Sequence, residues 1–110
     1  MRLPNGERAV VDINKLSGYC LNLEHPVGKH KARVFASTLG FVVKDAEELQ
    51  VALLAAARND EATRGEQDAY GQRYEVNFRL ARSGQTAIVT SAWIVRAGEN
   101  FPRLITCYVA

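Results

Sequence analysis

The sequence contains only two cysteines and two histidines among its 110 residues, and this scarcity excludes several classes of protein. Cys20 and Cys107 are too few for the disulfide framework of a small secreted domain. Because no CxxC spacing and no pair of histidines accompanies them, we expect no bound metal. Both cysteines stand among apolar residues, which is typical of small core side chains.

Long apolar segments are missing as well. No segment approaches the ~20 apolar residues of a membrane span, and the N-terminus lacks the apolar stretch of a signal peptide. We therefore expect a cytoplasmic protein with no membrane contact.

The glycine patterns of phosphate loops and dinucleotide-binding folds and the Gly-x-Ser-x-Gly elbow of hydrolases are also absent. We accordingly expect no cofactor.

Charge is unevenly distributed, although the net charge is only +2. Residues 1–44 contain seven Lys or Arg against three Asp or Glu, and residues 72–110 contain five against two. Residues 45–71, which lie between them, contain two against seven. If the two basic segments meet in space, they form a positive face that attracts a polyanion. The alternative is that each segment only solvates its own surface.

Apolar residues at helical spacing predict two or three helices in the N-terminal part of the chain. The first is predicted over residues 13–20, with Asp12 as its N-cap. The second is predicted to begin at residue 27 or 28 and to run to residue 39. Gly40 then ends this helix in the left-handed conformation.

A third and longer helix follows Asp45 and ends near residues 58–59. Asp45 and Glu48 have the spacing of a capping box at its start. Residues 60–71 are polar and are predicted to form a long loop. Residues 9–11 are predicted to form a short edge strand.

The periodicity of the sequence changes to two after residue 71 and predicts antiparallel strands. They cover residues 72–80, 86–96 and 104–109, and the second is apolar on both faces. The fold class is therefore α+β, with two or three N-terminal helices packed on a C-terminal antiparallel sheet of three to four strands. Residues 1–110 are expected to form a single domain.

Basic side chains crowd the start of the second helix, at Lys29, His30, Lys31 and Arg33. A helix N-terminus is itself partly positive, so cations there are unfavourable unless an anion lies among them. At about 100° per residue, Lys31 flanks the apolar stripe and faces the neighbouring sheet, whereas His30 points towards solvent. This geometry ranks Lys31 above His30 as a functional residue. The alternative is a solvated basic face.

Cleavage of RNA requires a base for the 2′-hydroxyl, an acid for the leaving oxygen and positive charge around the phosphorus. We expect cationic, imidazole and hydroxyl side chains to supply these groups, with His25 or His30 as the base and Lys31 as the charge stabiliser or acid. The candidate catalytic residues are Lys31, His30, His25, Arg103 and Thr106. The candidate substrate-binding residues are Lys29, Arg33, Arg73, Trp93 and Tyr108. Trp93 is a base-stacking candidate, with a core position as its alternative.

The segments HPVGKHKARVF, YGQRYEV, AWIVR and PRLITCY occur in this order. Together they resemble a small bacterial domain family without a settled function, whose members occur free-standing and at the C-termini of polymorphic toxins. The layout of helices followed by an antiparallel sheet is similar to the barnase, EndoU, colicin and RelE group of ribonucleases. That resemblance implies cleavage of RNA without metal by scattered basic and hydroxyl side chains. No histidine falls on the predicted sheet, which favours a Lys/Arg arrangement over a pair of histidines.

These observations lead to two hypotheses. The first is a metal-independent endoribonuclease toxin domain, with RNA as substrate and a cognate antitoxin or immunity protein as partner. The second is a non-catalytic binding module, or an accessory or neutralising partner of a toxin, that uses the same basic face.

Overall fold

The computed structural model describes residues 1–110, and its N-terminal half is helical. None of its helices combines the length and the apolar character needed to cross a membrane. In chain order, the helices are α1 (Ile13–Lys15), which continues into a π-helical turn (Leu16–Cys20), α2 (Lys29–Leu39) and α3 (Ala46–Asn59). Two short 3-10 turns (Gly6–Arg8 and Val43–Asp45) precede α1 and α3.

The C-terminal half forms one antiparallel sheet of four strands in the order β1-β2-β3-β4. The strands are β1 (Ala62–Asp68), β2 (Gly71–Arg82), β3 (Gln85–Arg96) and β4 (Pro102–Val109). Each strand pairs with the next one along the chain, so β1 and β4 are the two edges. The α+β fold predicted from the sequence is confirmed.

The core lies between the helices and one face of the sheet and contains 21 buried residues. Strand β2 buries Tyr74, Val76 and Phe78, as its alternating pattern predicted. Trp93 of β3 has no exposed surface, and its indole Nε1 donates to Ser91 Oγ at 2.9 Å. The Ser91 hydroxyl in turn donates to a carbonyl oxygen of β2 at 2.7 Å, so the polar groups of this core are satisfied.

Strand β4 carries a bulge that positions part of the site described below. Ala92 pairs with Thr106 and Trp93 pairs with Leu104, which leaves Ile105 as an extra residue without a partner on β3. An inserted residue bends the strand and redirects the neighbouring side chains. Ile105 and Thr106 consequently both line the same surface groove beside α1.

Two predicted features differ in the structure. Residues 60–71 are not a loop, because they contain β1 and the turn into β2. All residues of β1 except Ala62 are exposed, so the strand has no alternating pattern to reveal it. Residues 9–11 form no strand, and only Val10 makes an isolated parallel bridge, with Arg103.

The N-terminus of α3 also differs from its prediction. Asp45 accepts a hydrogen bond from the Val42 N–H at 3.0 Å and so closes the 3-10 turn before α3 instead of pairing with Glu48 in a capping box. Its carboxylate and that of Glu48 bind the guanidinium of Arg82, at 2.9 and 3.3 Å. The hydrogen bond from Arg82 holds the pKa of Asp45 below its ordinary value. Gly40 ends α2 with φ of 70°, as predicted.

Candidate functional site

A π-helical turn brings Tyr19 to the side of α2. The Leu21 N–H donates to the Leu16 carbonyl at 2.8 Å, across five residues instead of the usual four. The extra residue rotates the following side chains, a distortion found frequently at functional sites. Cys20 is buried completely, whereas Tyr19 remains half-buried.

The connection into α2 packs closely against Tyr19. Nδ1 of His25 accepts hydrogen bonds from the backbone N–H groups of Val27 and Gly28, at 3.0 and 2.9 Å. The His25 ring meets the Tyr19 ring edge to face, with centroids 4.8 Å apart. Gly28 lies so near that a Cβ atom there would stand 2.6 Å from the Tyr19 carbonyl oxygen. These contacts fix the direction in which α2 leaves the turn.

Lys31, on the first turns of α2, reaches towards the edge of the sheet as the helical spacing predicted. Its Nζ lies 5.5 Å from the ring centroid of Tyr19 and 5.1 Å from that of Tyr108. Lys31 forms none of the five ion pairs in the structure. Its ammonium group is therefore held by two aromatic faces and not by a carboxylate.

Lys31 opens into a surface groove of about 590 Å³ between α1 and β4, which we call the Lys31 groove. Its lining residues are Asp12, Asn14, Lys15, Gly18, Tyr19, Lys31, Ile105 and Thr106. Two of the eight are lysines and one is a carboxylate, and the hydroxyls of Tyr19 and Thr106 add hydrogen-bond donors. An anion with several acceptor oxygens matches this set of groups.

Two buried thiols lie behind the groove. Cys20 Sγ is 3.7 Å from Thr106 Oγ1, and it also neighbours the thiol of Cys107. The pKa of Cys20 is lowered to about 6 despite burial, chiefly by its interaction with Cys107 and to smaller extents by Thr106 and the Lys31 charge. The same interaction and burial raise the pKa of Cys107. The positive charge of Lys31 thus favours the ionised form of the thiols, although its ammonium group faces the groove.

Two of the predicted arginines are bound to carboxylates. Arg103 donates to both carboxylate oxygens of Glu99, each at 2.9 Å, and this contact lowers the pKa of Glu99. Arg73 donates to Asp68 at 2.6 Å on the side of the sheet next to β1. Neither is a free phosphate ligand in this arrangement. Arg73 is also two strands away from β4.

The remaining predicted residues divide into two groups. Thr106 lines the Lys31 groove and Tyr108 contacts Lys31, whereas His25 contacts the ring of Tyr19. His30 is exposed, as predicted from its helical position. Four predicted residues lie outside the lining of the groove: His25, His30, Lys29 and Arg33.

The expectation that Trp93 stacks on a base is contradicted by the structure. The side chain has no exposed surface, because it packs at the centre of the core and its N–H is bound to Ser91. The core position, which was the alternative for this residue, is the observed one.

Sequence reasoning missed Asp12, Lys15 and Tyr19 as members of the site. Lys15 and Tyr19 are four residues apart, and that spacing puts two side chains on one face of a helix. The signal was therefore present in the predicted first helix. The π-helical turn that aims Tyr19 at Lys31 has no comparable signature in the sequence.

Comparisons with known proteins complete the description of the site. The sequence matches the family model described as "Domain of unknown function (DUF6883)" over residues 2–110. No curated protein matches the sequence. The fold is similar to a chain in the solved structure described as "Contact-dependent growth inhibition toxin - immunity protein complex from Klebsiella pneumoniae 342". The TM-score is 0.68 at 18% identity, and the match covers 92% of this chain and 99% of that chain. At this identity the likeness shows a shared fold.

Proposed function

This chain belongs to the family described as "Domain of unknown function (DUF6883)", and we propose that it is the toxin of a toxin–immunity pair. In this proposal it is a metal-independent endoribonuclease that acts in the cytoplasm and is neutralised by a cognate partner protein. The solved structure with the same fold comes from a toxin–immunity complex, which supports the pairing.

The observation that carries the proposal is the Lys31 ammonium group, which faces a groove and has no carboxylate partner. When a 2′-oxygen attacks phosphorus, negative charge grows on the phosphoryl oxygens. A cation fixed beside those oxygens stabilises this state more than the starting state. We therefore assign charge stabilisation to Lys31 and a hydrogen bond to the phosphate to Thr106.

The proton transfers need two further roles. A base takes the proton of the 2′-hydroxyl while the new P–O bond forms, and an acid protonates the 5′-oxygen as the old P–O bond breaks. Nδ1 of His25 already accepts two backbone hydrogen bonds, so the neutral ring carries its proton on Nε2 and has no free lone pair with which to act as the base. We therefore assign the base to Asp12, the one carboxylate lining the groove. A lysine ammonium is an acid, so Lys31 is also our candidate for protonating the leaving oxygen.

Replacement of Lys31 tests the proposal, with Lys29→Met as the matched control. Lys31→Met keeps most of the length of the side chain and removes the charge, whereas Lys29 belongs to the same helix turn but does not line the groove. Expression of the wild type in a bacterium should slow growth, and the purified protein should cleave RNA in the presence of a chelator. We expect Lys31→Met to reduce the cleavage rate by about 10²-fold or more, as loss of one transition-state donor does. Lys29→Met should remain close to the wild type.

The proposal fails if the wild type neither slows growth nor cleaves RNA, or if Lys31→Met cleaves RNA as fast as Lys29→Met. Thermal unfolding of all three proteins controls for loss of fold. Cleavage across pH by Asp12→Asn tests the assignment of the base, with His25→Ala as the comparison. The variant that removes the base loses the acidic limb of the pH–rate profile.

A second candidate function is a non-catalytic binding module or neutralising partner that uses the same basic face. The ion pairs of Arg73 and Arg103 favour it, because they leave fewer free cations than a Lys/Arg catalytic cluster requires. Such a module should bind an anionic partner with strong salt dependence and leave it intact. A stable complex with a small neighbouring gene product that is itself toxic would identify this chain as the neutralising partner.

A further inference from the structure

The Lys31 groove does not end at the edge of β4. A second groove, of about 120 Å³, shares Asp12, Lys15 and Ile105 with it. We call this the outer groove, and its further lining includes Ile94, Arg96 and Arg103. The two grooves are therefore neighbours, and together they form the depression considered below, which extends from α2 to the ends of β3 and β4.

The depression carries more positive than negative charge. Its rim carries four cations (Lys15, Lys31, Arg96 and Arg103) and two carboxylates, Asp12 and Glu99, the partner of Arg103. That balance of +2 equals the net charge of the whole chain, so the remaining charged side chains cancel, ten against ten. Strand β1, at the opposite edge of the sheet, carries two carboxylates and one arginine. A polyanion is therefore attracted more to the edge at β4 than to the edge at β1.

Three of the four cations are available to a ligand. Arg103 is bound by Glu99, but Lys15, Lys31 and Arg96 form no ion pair. Lys15 stands at the junction of the two grooves and Arg96 at the far end of the outer groove. The available cations are thus spaced along the path and not gathered at one point, which suits a ligand with repeated negative charges.

The walls of the path are suited to bases. Ile94 and Ile105 line the outer groove, and the rings of Tyr19 and Tyr108 flank Lys31 at the other end. Aromatic faces bind bases by stacking without regard to sequence. A duplex is stiff over about 50 nm and does not turn around the edge of a strand, whereas a single strand does.

We propose that a single strand of RNA follows this path, with its backbone held by Lys15 and Arg96 on one side of the phosphate that meets Lys31. The proposal rests on the proposed function for the identity of the strand as RNA. It adds two binding residues that neither the sequence patterns nor the fold comparison assigned. The path, and not Lys31 alone, then determines that the substrate is single-stranded.

Binding of a labelled oligodeoxynucleotide of about ten residues tests the path separately from cleavage. DNA has no 2′-hydroxyl and so survives a transesterifying enzyme, and fluorescence anisotropy measures its affinity at several salt concentrations. Lys15→Ala and Arg96→Ala are compared with Arg64→Ala, an exposed arginine on β1 that changes the net charge equally. Each of the two path variants should weaken binding several-fold and reduce the salt slope by about 0.7, the value for one phosphate of a single strand. Arg64→Ala should leave the slope unchanged.

Two results would overturn the path: equal effects of all three substitutions, or binding of a duplex of the same sequence as tightly as the single strand. RNA cleavage by the same variants separates this inference from the proposed function. If Lys15→Ala and Arg96→Ala lose single-strand binding while no variant or wild type cleaves RNA, the path stands and the nuclease assignment falls. If cleavage depends on Lys31 but binding ignores Lys15 and Arg96, the nuclease assignment stands and the path falls.

Discussion

The contact between Gly28 and Tyr19 gives a sharp test of how α2, and with it Lys31, is positioned. A Cβ atom at residue 28 would lie 2.6 Å from the Tyr19 carbonyl oxygen and 3.1 Å from its ring, where ordinary contact begins at 3.4 Å. Gly28→Ala must therefore push α2 and the π-helical turn apart by roughly 0.8 Å. Overpacking of this kind costs about 1–3 kcal/mol. The same movement displaces Lys31 from the groove.

Gly18→Ala is the matched control, because Gly18 lies within the π-helical turn and a Cβ atom there meets nothing within 4 Å. Replacing glycine by alanine restricts the unfolded chain equally at both positions. This restriction stabilises the protein by about 0.4–1 kcal/mol where the native backbone accepts alanine. We expect Gly18→Ala to be more stable than the wild type and Gly28→Ala to be less stable. The difference between the two variants isolates the steric term.

Urea unfolding followed by fluorescence provides the assay, since the chain has a single tryptophan and it is fully buried. At about 4–8 °C per kcal/mol for a domain of this size, Gly28→Ala should also lower the melting temperature measurably. The reasoning is refuted if Gly28→Ala is as stable as Gly18→Ala. It is also refuted if Gly28→Ala loses stability but keeps full affinity for a single-stranded oligonucleotide, because α2 would then have moved without Lys31.

Three further substitutions test other contacts around the site and core. His25→Ala should cost about 1 kcal/mol in urea unfolding, because two backbone N–H groups lose their acceptor, whereas exposed His30→Ala should cost almost nothing. Ser91→Ala should cost about 1–3 kcal/mol in the same assay, since a buried indole N–H loses its partner, and Thr90→Ala, whose partner amide is exposed, should cost less. The pKa of the Cys20 thiol is lowered from 9.0 to about 6, so its ionisation stabilises the folded protein. This contribution is fully present above pH 9 and is lost as pH falls through 6. Urea unfolding of the wild type should therefore gain stability from pH 6 to 9 relative to Cys20→Ser, and equal pH dependence of the two would contradict the shift.

Most of the fold was predictable because its signals are local. Alternation along β2 and helical spacing in α2 and α3 each arise from one buried face, so the residues themselves reveal the element. Strand β1 was not predictable, because it is almost entirely exposed and exists through its pairing with β2, such as Ala62 with Val76. The bulge at Ile105 likewise has no local signal, since it is defined by the register against β3.

The candidate site was predictable to a lesser extent. The direction of Lys31 followed from helical geometry, which fixes the angle of a side chain relative to the apolar stripe. The role of Arg103 did not follow, because its partner Glu99 lies across a turn and the sequence does not state which carboxylate an arginine selects. The sequence left two alternatives for Trp93, burial in the core or exposure on a functional face, because an apolar strand is compatible with both.

Whether a cation of this chain is available to a phosphate depends more on the partner it already has than on whether it is an arginine or a lysine. Arginine is generally the better phosphate ligand, because its planar fork binds two oxygens at once. The same geometry binds a carboxylate, and Arg73, Arg82 and Arg103 are each bound by one. A phosphate that approaches Arg103 has to displace charge-assisted hydrogen bonds, roughly twice as strong as neutral ones. A phosphate that approaches Lys31 displaces only the faces of two rings, contacts worth about 0.5–1 kcal/mol at exposed sites. An incoming anion therefore reaches Lys31 at lower cost than Arg103, although lysine is the weaker type of phosphate ligand.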